Sequence, residues 1–180
     1  MNAQSTYAIE PLGHHDRTAF SCGSPELDEY LLLQASQEAK RKVAAPFVMI
    51  DSSGAVIGYY TLSGFAVRLA ELPEGIARKM PRYPVLPATL LGRLAISKAH
   101  QGQKLGQVLL MDALYRSWKN TSEVGSIGVV TEALDETARK FYLHHEFLPF
   151  VGHPRKLFIA MKTVAKLFAE RRRDFPRDRS

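Results

Sequence analysis

The chain has 180 residues, of which 46% are apolar and 23% charged, and its formal net charge is +6. These values are typical of a globular domain that buries a core without disulfides or metals. The only cysteine, Cys22, excludes an intrachain disulfide and a cysteine-rich zinc site. No apolar run reaches the roughly 18 residues that a membrane span needs, and no signal-peptide pattern is present. We therefore expect a metal-free, cytoplasmic protein without membrane contact.

The predicted organisation is one domain over residues 1–168 and a charged, flexible tail over 169–180. The charge is uneven, because residues 75–120 contain eight Lys or Arg side chains and a single acid, Asp112. A basic block favours a polyanionic partner such as a phosphorylated cofactor or nucleic acid. From charge alone, a solvated surface that keeps the protein soluble is the favoured explanation of the block.

The first part of the chain reads as a strand, a helix and a β-hairpin. The helix is predicted to begin after Ser24, an N-cap residue, because Pro25 suits the first helical position. One apolar helix face is formed at positions i, i+3, i+4 and i+8 by Leu27, Tyr30, Leu31 and Ala35. Strands are predicted over 6–12, 46–51 and 55–69, with the last interrupted near Gly64.

Beyond a proline-rich loop over 70–87, strands alternate with helices. Helices are predicted over 106–120 and 135–147, the second capped by Asp135, and a short helix follows residue 162. The remaining strands are predicted over 89–97, 124–134 and 156–162. Hairpins mixed with crossover helices predict an α/β or α+β fold with a mixed sheet.

One junction between strand and helix suggests a binding site. The strand over 89–97 runs through the loop QGQKLG (101–106) directly into the next helix. Such a junction presents free backbone N–H groups and the positive end of a helix to an anion. The loop is neither a Walker A motif nor a dinucleotide fingerprint. The residues alone leave a phosphate site and a plain tight turn both open.

Several segments resemble a known superfamily. LAISKAHQGQKLGQVLLMDAL (94–114) resembles the acetyl-CoA-binding motif of GNAT acetyltransferases, with Lys104 where the family usually has glycine. ALDETARKFYLHHEFLPF (133–150) resembles a second GNAT segment, with Glu146 in place of a glycine that ends the helix. FSCGSPELDEYL (20–31) is similar to the GNAT toxins of type II toxin–antitoxin modules. The resemblance covers roughly residues 7–165 and implies the GNAT fold, a mostly antiparallel mixed sheet flanked by helices.

The resemblance also implies acetyl-CoA as cosubstrate and a set of site residues. It gives Tyr142 the role of the acid that protonates the departing thiolate, although an arbitrary helix tyrosine is usually a packing residue. A free amide near Leu94 or Ala95 would polarise the thioester carbonyl. The implied cofactor-binding residues are Leu94, Ala95, Ile96, Gln101, Gly102, Gln103, Lys104, Leu105, Gly106, Gln107, Asp135 and Phe141.

A general base is harder to name. Glu132, His144 and His145 are candidates, but we interpret each as a structural or surface group. An α-amine has a pKa of about 8, so a useful fraction is neutral without a strong base. The absence of a convincing base therefore favours a low-pKa amine over a lysine side chain.

The basic block supplies candidates for RNA contacts. Arg78, Lys79, Arg82 and Arg93 would meet the phosphate backbone through charge and shape, since no stacking cluster of an RNA-recognition type is present. Arg93 could instead be the ion-pair partner of an acid such as Asp28, and both interpretations stay open.

Three functions are compatible with these features. The leading prediction is transfer of acetyl to the α-amine of aminoacyl-tRNA by a translation-blocking toxin. The resemblance then implies a ribbon-helix-helix antitoxin partner and a homodimer. The alternative is a GNAT N-acetyltransferase of a small amine or a protein N-terminus. A non-catalytic CoA-binding or nucleic-acid-binding protein is the third, and Lys104 and Glu146 are its only support.

Overall fold

A computed structural model describes residues 7–173 of the chain. Its strands are β1 (Tyr7–Pro11), β2 (Ala45–Asp51), β3 (Val56–Arg68), β4 (Val85–Ile96), β5 (Gly128–Glu132), β6 (Leu148–Phe150) and β7 (His153–Ala160). Its helices are α1 (Pro25–Glu29), α2 (Ala35–Lys40), α3 (Glu74–Ala77), α4 (Leu105–Asn120), α5 (Glu136–His144) and α6 (Met161–Arg173). A π-helical turn joins α1 to α2, and short 3-10 helices precede α3 and α4.

The strands form one seven-stranded sheet in the order β1-β2-β3-β4-β5-β7-β6. The pairs β1–β2, β2–β3, β5–β7 and β6–β7 are antiparallel. Helices α4 and α5 make the crossover connections that the alternation of strands and helices predicts. The predicted class, a mixed and mostly antiparallel α/β fold, is confirmed.

The chain divides into two compact units, and the first comprises the described residues up to Ser63 together with Leu91–Ala113. The predicted apolar helix face forms its core, because Tyr30, Leu31 and Ala35 are at most 2% exposed and Leu27 packs beside them. Ser24 is the N-cap residue of α1 as predicted, although its side chain makes no capping hydrogen bond.

The second unit comprises Gly64–Leu90 and the chain from Leu114 onward. Its core joins residues of β3, β4, β5 and β7, including Val67, Leu86, Val130 and Phe158. Against this core, the chain from β3 to β4 forms a 3-10 helix and α3 before it returns to the sheet. No helix within residues 7–173 combines the length and the apolar character that crossing a membrane requires.

Several details of the predicted elements are wrong. The strand predicted over 124–134 is shorter, since β5 covers only Gly128–Glu132, and the strand predicted over 156–162 is His153–Ala160. Strand β3 continues through Gly64, which is exposed and has no atom near its absent side chain. Strand β4 begins at Val85 rather than residue 89. Pro87 is exposed there, and its carbonyl accepts a hydrogen bond from the Ile127 N–H at 2.9 Å. The sequence does not predict strand β6, since three residues are too few to show an alternating pattern.

The predicted ends of the chain fall partly outside the description. The first predicted strand began at residue 6, and β1 begins at Tyr7, the first described residue. Of the predicted tail over 169–180, the part up to Arg173 belongs to α6, and residues 174–180 lie outside the described residues.

Candidate active site

The loop between β4 and α4 has the geometry of an anion site. Gly102 has φ 80° and Lys104 has φ 61°, so the backbone turns left-handed twice before α4 begins. Within residues 7–173, no hydrogen-bond partner is found for the N–H groups of Gly102, Gln103 or Lys104. The first turn of α4 adds further unpaired N–H groups at the positive end of the helix. A Cβ on Gly102 would meet no atom within 4 Å, so the loop is open to a ligand.

The two non-glycine residues at the family's glycine positions adopt the conformation that glycine favours. Lys104 has φ 61° and Glu146, just after α5, has φ 68°. A left-handed conformation costs a residue with a Cβ about 1 kcal/mol. Both side chains are exposed, so neither substitution disturbs the core. The exposed ammonium of Lys104 is free to reach a phosphate group bound at the loop.

The Gln101 side chain braces this loop. Its amide Nε2 donates hydrogen bonds to the carbonyl of Ile96, at the end of β4, and to the carbonyl of Cys22, each at 2.9 Å. The Lys98 N–H donates to the carbonyl of Ser21 at 2.8 Å, which ties the same two segments together again. Gln101 therefore acts on the loop conformation, because its donor atoms are already used.

The toxin-like segment over 20–31 supplies the carbonyl groups that Gln101 and Lys98 bind. The Asp28 carboxylate accepts a hydrogen bond from the Cys22 N–H at 2.8 Å. Gly23 has φ 97°, a conformation that other residues rarely adopt. Phe20 and Tyr30 pack against the ring of Tyr59, with centroids 5.6 and 6.1 Å away. The most distinctive motif of the sequence thus holds the loop in place.

The thiol of Cys22 is a poor nucleophile in this structure. Burial raises its pKa to about 11, and the neighbouring Asp28 adds to this effect. A thiol with such a pKa is almost entirely protonated at neutral pH, whereas the thiolate is the reactive form.

Tight packing fixes the end of β4 against its neighbours. Ala95 and Ile96 are at most 9% exposed, and Leu94 is half-buried. A Cβ on Gly58 of β3 would lie 2.7 Å from Ile96 Cδ1 and 3.0 Å from Leu109 Cδ1. The absence of a side chain at Gly58 therefore lets β3, β4 and α4 approach closely at the start of the loop.

Tyr142 lies in the second unit, on helix α5. The Asp135 carboxylate accepts a hydrogen bond from the Ala138 N–H at 2.8 Å, so the predicted N-cap is confirmed. Tyr142 is only 5% exposed, and its ring packs against Phe141 and Phe147 at centroid distances of 5.2 and 5.3 Å.

The environment of Tyr142 keeps its phenol protonated. Burial raises the pKa of Tyr142 to about 12, and a hydrogen bond with Thr131 of β5 opposes that rise. At neutral pH the side chain is therefore a proton donor and not a base. This is the protonation state that the predicted role requires.

The candidate bases hold surface or structural positions. Glu132 and His144 are exposed. His145 is half-buried, and its Nδ1 lies 2.7 Å from the carbonyl oxygen of Phe141, one turn earlier in α5. These positions agree with their interpretation as structural or surface groups.

The four candidate RNA contacts are divided between the two units. Arg93 belongs to the first unit, where its guanidinium lies half-buried, 3.5 Å from the centroid of the Tyr30 ring. The alternative ion pair between Arg93 and Asp28 is not formed, since Asp28 instead accepts a hydrogen bond from the backbone of Cys22. The other three, Arg78, Lys79 and Arg82, are exposed in the second unit.

Within the second unit, these three basic residues differ in their surroundings. Arg78 is paired with Glu74, one turn earlier in α3. Arg82 lines an open groove with Arg68, a residue that the sequence did not single out. Arg68 ends β3 outside the basic block, so no charge pattern marks it.

The fold and these features define an acetyl-CoA-dependent N-acetyltransferase of the GNAT type. Comparison with known proteins narrows the class. A relative named tRNA-acetylating toxin, from Mycobacterium tuberculosis (strain ATCC 25618 / H37Rv), is 36% identical over 155 residues, which are 86% of this chain and 92% of that protein. The chain belongs to the family of GNAT toxins. A scan against models of protein families finds no match.

Solved structures of the AtaT toxin have the same fold. AtaT complexed with acetyl-methionyl-tRNAfMet has a TM-score of 0.84 and 32% identity, and the match covers 90% of this chain and 99% of AtaT. A tyrosine-to-phenylalanine mutant of AtaT bound to the C-terminus of the antitoxin AtaR and acetyl-CoA has a TM-score of 0.78 and 29% identity, with coverages of 91% and 98%.

Proposed function

We propose that this protein transfers the acetyl group of acetyl-CoA to the α-amine of an aminoacyl-tRNA and thereby blocks translation. The observation that carries the proposal is the 36% identity, over 86% of the chain, to a tRNA-acetylating toxin. The AtaT structure with an acetylated methionyl-tRNA supports the same substrate class. The exposed loop amides and the protonated Tyr142 supply the groups that this chemistry needs.

The loop after β4 would bind the phosphates of acetyl-CoA. The N–H groups over 102–107 can donate to phosphate oxygens, and the Lys104 ammonium adds a positive charge. Leu94, Ala95 and Ile96 would line the pantetheine arm through their backbone. The bound cosubstrate supplies an acetyl thioester, whose carbonyl an amide near Leu94 or Ala95 would polarise.

Tyr142 would control the proton that the reaction must move. The α-amine forms a bond to the acetyl carbon, the carbon–sulfur bond breaks, and the sulfur leaves as a thiolate. The phenol of Tyr142 gives its proton to that sulfur, and the proton lost by the new amide restores the phenol. Asp135 and Phe141 act by holding α5 and the tyrosine ring.

The partners follow from the same family. AtaT bound to the C-terminus of AtaR supports an antitoxin as the neutralising partner. We propose an antitoxin of the ribbon-helix-helix type, a homodimeric toxin, and action in the cytoplasm, where aminoacyl-tRNA is used. The exposed Arg78 and Lys79 are the proposed contacts to the tRNA backbone, and Arg82 and Arg93 are secondary candidates.

The decisive experiment measures transfer of radiolabelled acetyl from acetyl-CoA to charged and deacylated tRNA. We expect label on charged tRNA only, because deacylated tRNA has no α-amine. Tyr142→Phe should lower the rate by about 100-fold or more while acetyl-CoA still binds. Label on small amines or protein N-termini, but not on charged tRNA, would overturn the proposal.

A further inference from the structure

A groove in the second unit has neither Tyr142 nor any residue of the loop at 101–106 in its lining. It has a volume of about 710 Å³ and is lined by the chain that leaves β3, forms α3 and returns to β4. Leu69, Leu72, Pro84, Val85 and Val151 contribute apolar surface to it. Val85 and Val151 are 51% and 60% exposed, so both offer apolar surface to a partner.

The walls of the groove are held by the backbone. The Leu69 N–H donates to the Pro84 carbonyl, and the Val151 N–H donates to the Glu71 carbonyl, each at 3.0 Å. Leu72 is 2% exposed and anchors the floor in the core. The groove therefore exists before any partner binds, so binding carries no free-energy cost for forming it.

Two arginines give the groove its charge. Arg68 and Arg82 are both exposed, and within residues 7–173 neither guanidinium group has a hydrogen-bond or ion-pair partner. The only acid in the lining, Glu74, is already paired with Arg78. The groove thus presents two unpaired guanidinium groups beside an apolar surface, and a guanidinium binds a carboxylate through two parallel hydrogen bonds.

This chemistry fits a polypeptide better than a nucleic acid. Proteins bind the phosphates of a nucleic acid with charged and hydrogen-bonding groups, and they bind unpaired bases by stacking them on aromatic rings. The lining of this groove contains no aromatic side chain. An apolar groove beside two arginines instead suits a segment that carries both aliphatic side chains and carboxylates.

We propose that this groove docks an acidic, apolar segment of the partner antitoxin. The identity of the partner rests on the proposed function, whereas the chemistry of the segment rests on the groove. Arg68 and Arg82 bind the carboxylates of the segment, and its aliphatic side chains lie against Val85, Val151 and Leu69.

The test uses a labelled dodecapeptide of alternating Glu and Leu, measured by fluorescence anisotropy with the full chain. The expected result is saturable binding that weakens about tenfold or more in the double variant Arg68→Glu/Arg82→Glu, because two charge-assisted contacts become repulsive. Val151→Asp should weaken binding as well. The control double variant Lys79→Glu/Lys119→Glu, which makes the same change in charge at two exposed residues outside the lining, should leave peptide affinity unchanged.

Other results would overturn the inference. Equal losses of peptide affinity in the two double variants would show attraction to net charge alone. Binding of a single-stranded RNA dodecamer, but not the peptide, through Arg68 and Arg82 would assign the groove to nucleic acid. A dimer that dissociates in the Arg68→Glu/Arg82→Glu variant would assign it to a second copy of the chain. Acetylation of charged tRNA by the unmodified protein, measured in parallel, separates failure of this inference from failure of the proposed function.

Discussion

The two units of this protein offer their chemistry in opposite ways. In the first unit, the loop at 101–104 is exposed, and its proposed role in binding acetyl-CoA rests on backbone N–H groups. In the second, Tyr142 is 5% exposed, and its proposed role rests on a side chain whose pKa is raised by burial. The loop should therefore be sensitive to changes that alter its backbone conformation, whereas the tyrosine should be sensitive to packing.

The largest expected effect concerns the packing of the second unit. A Cβ on Gly128 would collide with the Ile159 carbonyl and lie 2.5 Å from the Phe158 ring. Gly128→Ala should lower the free energy of unfolding by about 3 kcal/mol or more, because backbone and a core ring must move. Gly58→Ala in the first unit should cost about 1–2 kcal/mol, since its neighbours are mainly side-chain ends.

Urea unfolding measures both changes. Gly64→Ala is the matched control, because Gly64 lies in the same kind of strand with no atom within 4 Å of an added Cβ. Equal losses for Gly128→Ala and Gly64→Ala would show that lost chain flexibility, and not crowding, determines the result.

The second effect is the response of the buried tyrosine to alkali. The pKa of Tyr142 is about 12 in the folded protein and about 10 in an unfolded chain, so the folded state retains the proton longer. Its contribution to stability is complete below pH 10 and is lost as the pH rises towards 12, by about 3 kcal/mol at most. Between those pH values, the unfolding free energy of Tyr142→Phe should fall less steeply. Parallel curves would contradict this prediction.

A smaller effect is expected when the brace of the loop is removed. Gln101→Ala deletes both hydrogen bonds that hold the loop to Cys22 and Ile96. Because these bonds orient the loop amides, the KM for acetyl-CoA should rise by about tenfold with little change in kcat. Gln34→Ala, at an exposed glutamine of the first unit, is the control. A lower kcat with unchanged KM would assign Gln101 to another step.

The smallest effect compares the two left-handed residues. Lys104→Gly and Glu146→Gly each relieve an unfavourable φ, and each should change stability by no more than about 1 kcal/mol. Only Lys104→Gly should also weaken acetyl-CoA binding, by several-fold, since it removes an ammonium beside the phosphates. Isothermal titration with CoA distinguishes the two. Equal CoA affinities in both variants would show that the Lys104 side chain does not contribute to CoA binding.

Much of this architecture follows from local sequence patterns. Pro25 and Asp135 begin their helices at the predicted places, because capping is decided by adjacent residues. The two family glycine positions remain left-handed although Lys104 and Glu146 occupy them. The early start of β4 was missed, since Pro84 and Pro87 indicate a loop unless the pairing of the strand is known.

The parts of the site that could not be predicted depend on contacts between distant segments. The hydrogen bond from Gln101 to Cys22 joins residues 79 positions apart, and no periodicity encodes it. Arg93 packs on Tyr30, whereas its charge suggested a partner of opposite sign. The groove joins Arg68 to Arg82 only because the intervening chain folds back on itself.

The hydrogen bond between Gln101 and Cys22 places a natural chemical reporter beside the loop. Cys22 is the only thiol in the chain, and it is half-buried beside the bonds that hold the loop. The closed structure raises the pKa of this thiol and keeps it unreactive, so its rate of alkylation in native buffer reports how often this region opens locally. Any ligand that stabilises the closed loop slows that rate by the same factor by which it suppresses opening. Occupancy of the loop can thus be read from the kinetics of one unmodified side chain, without a label on the ligand.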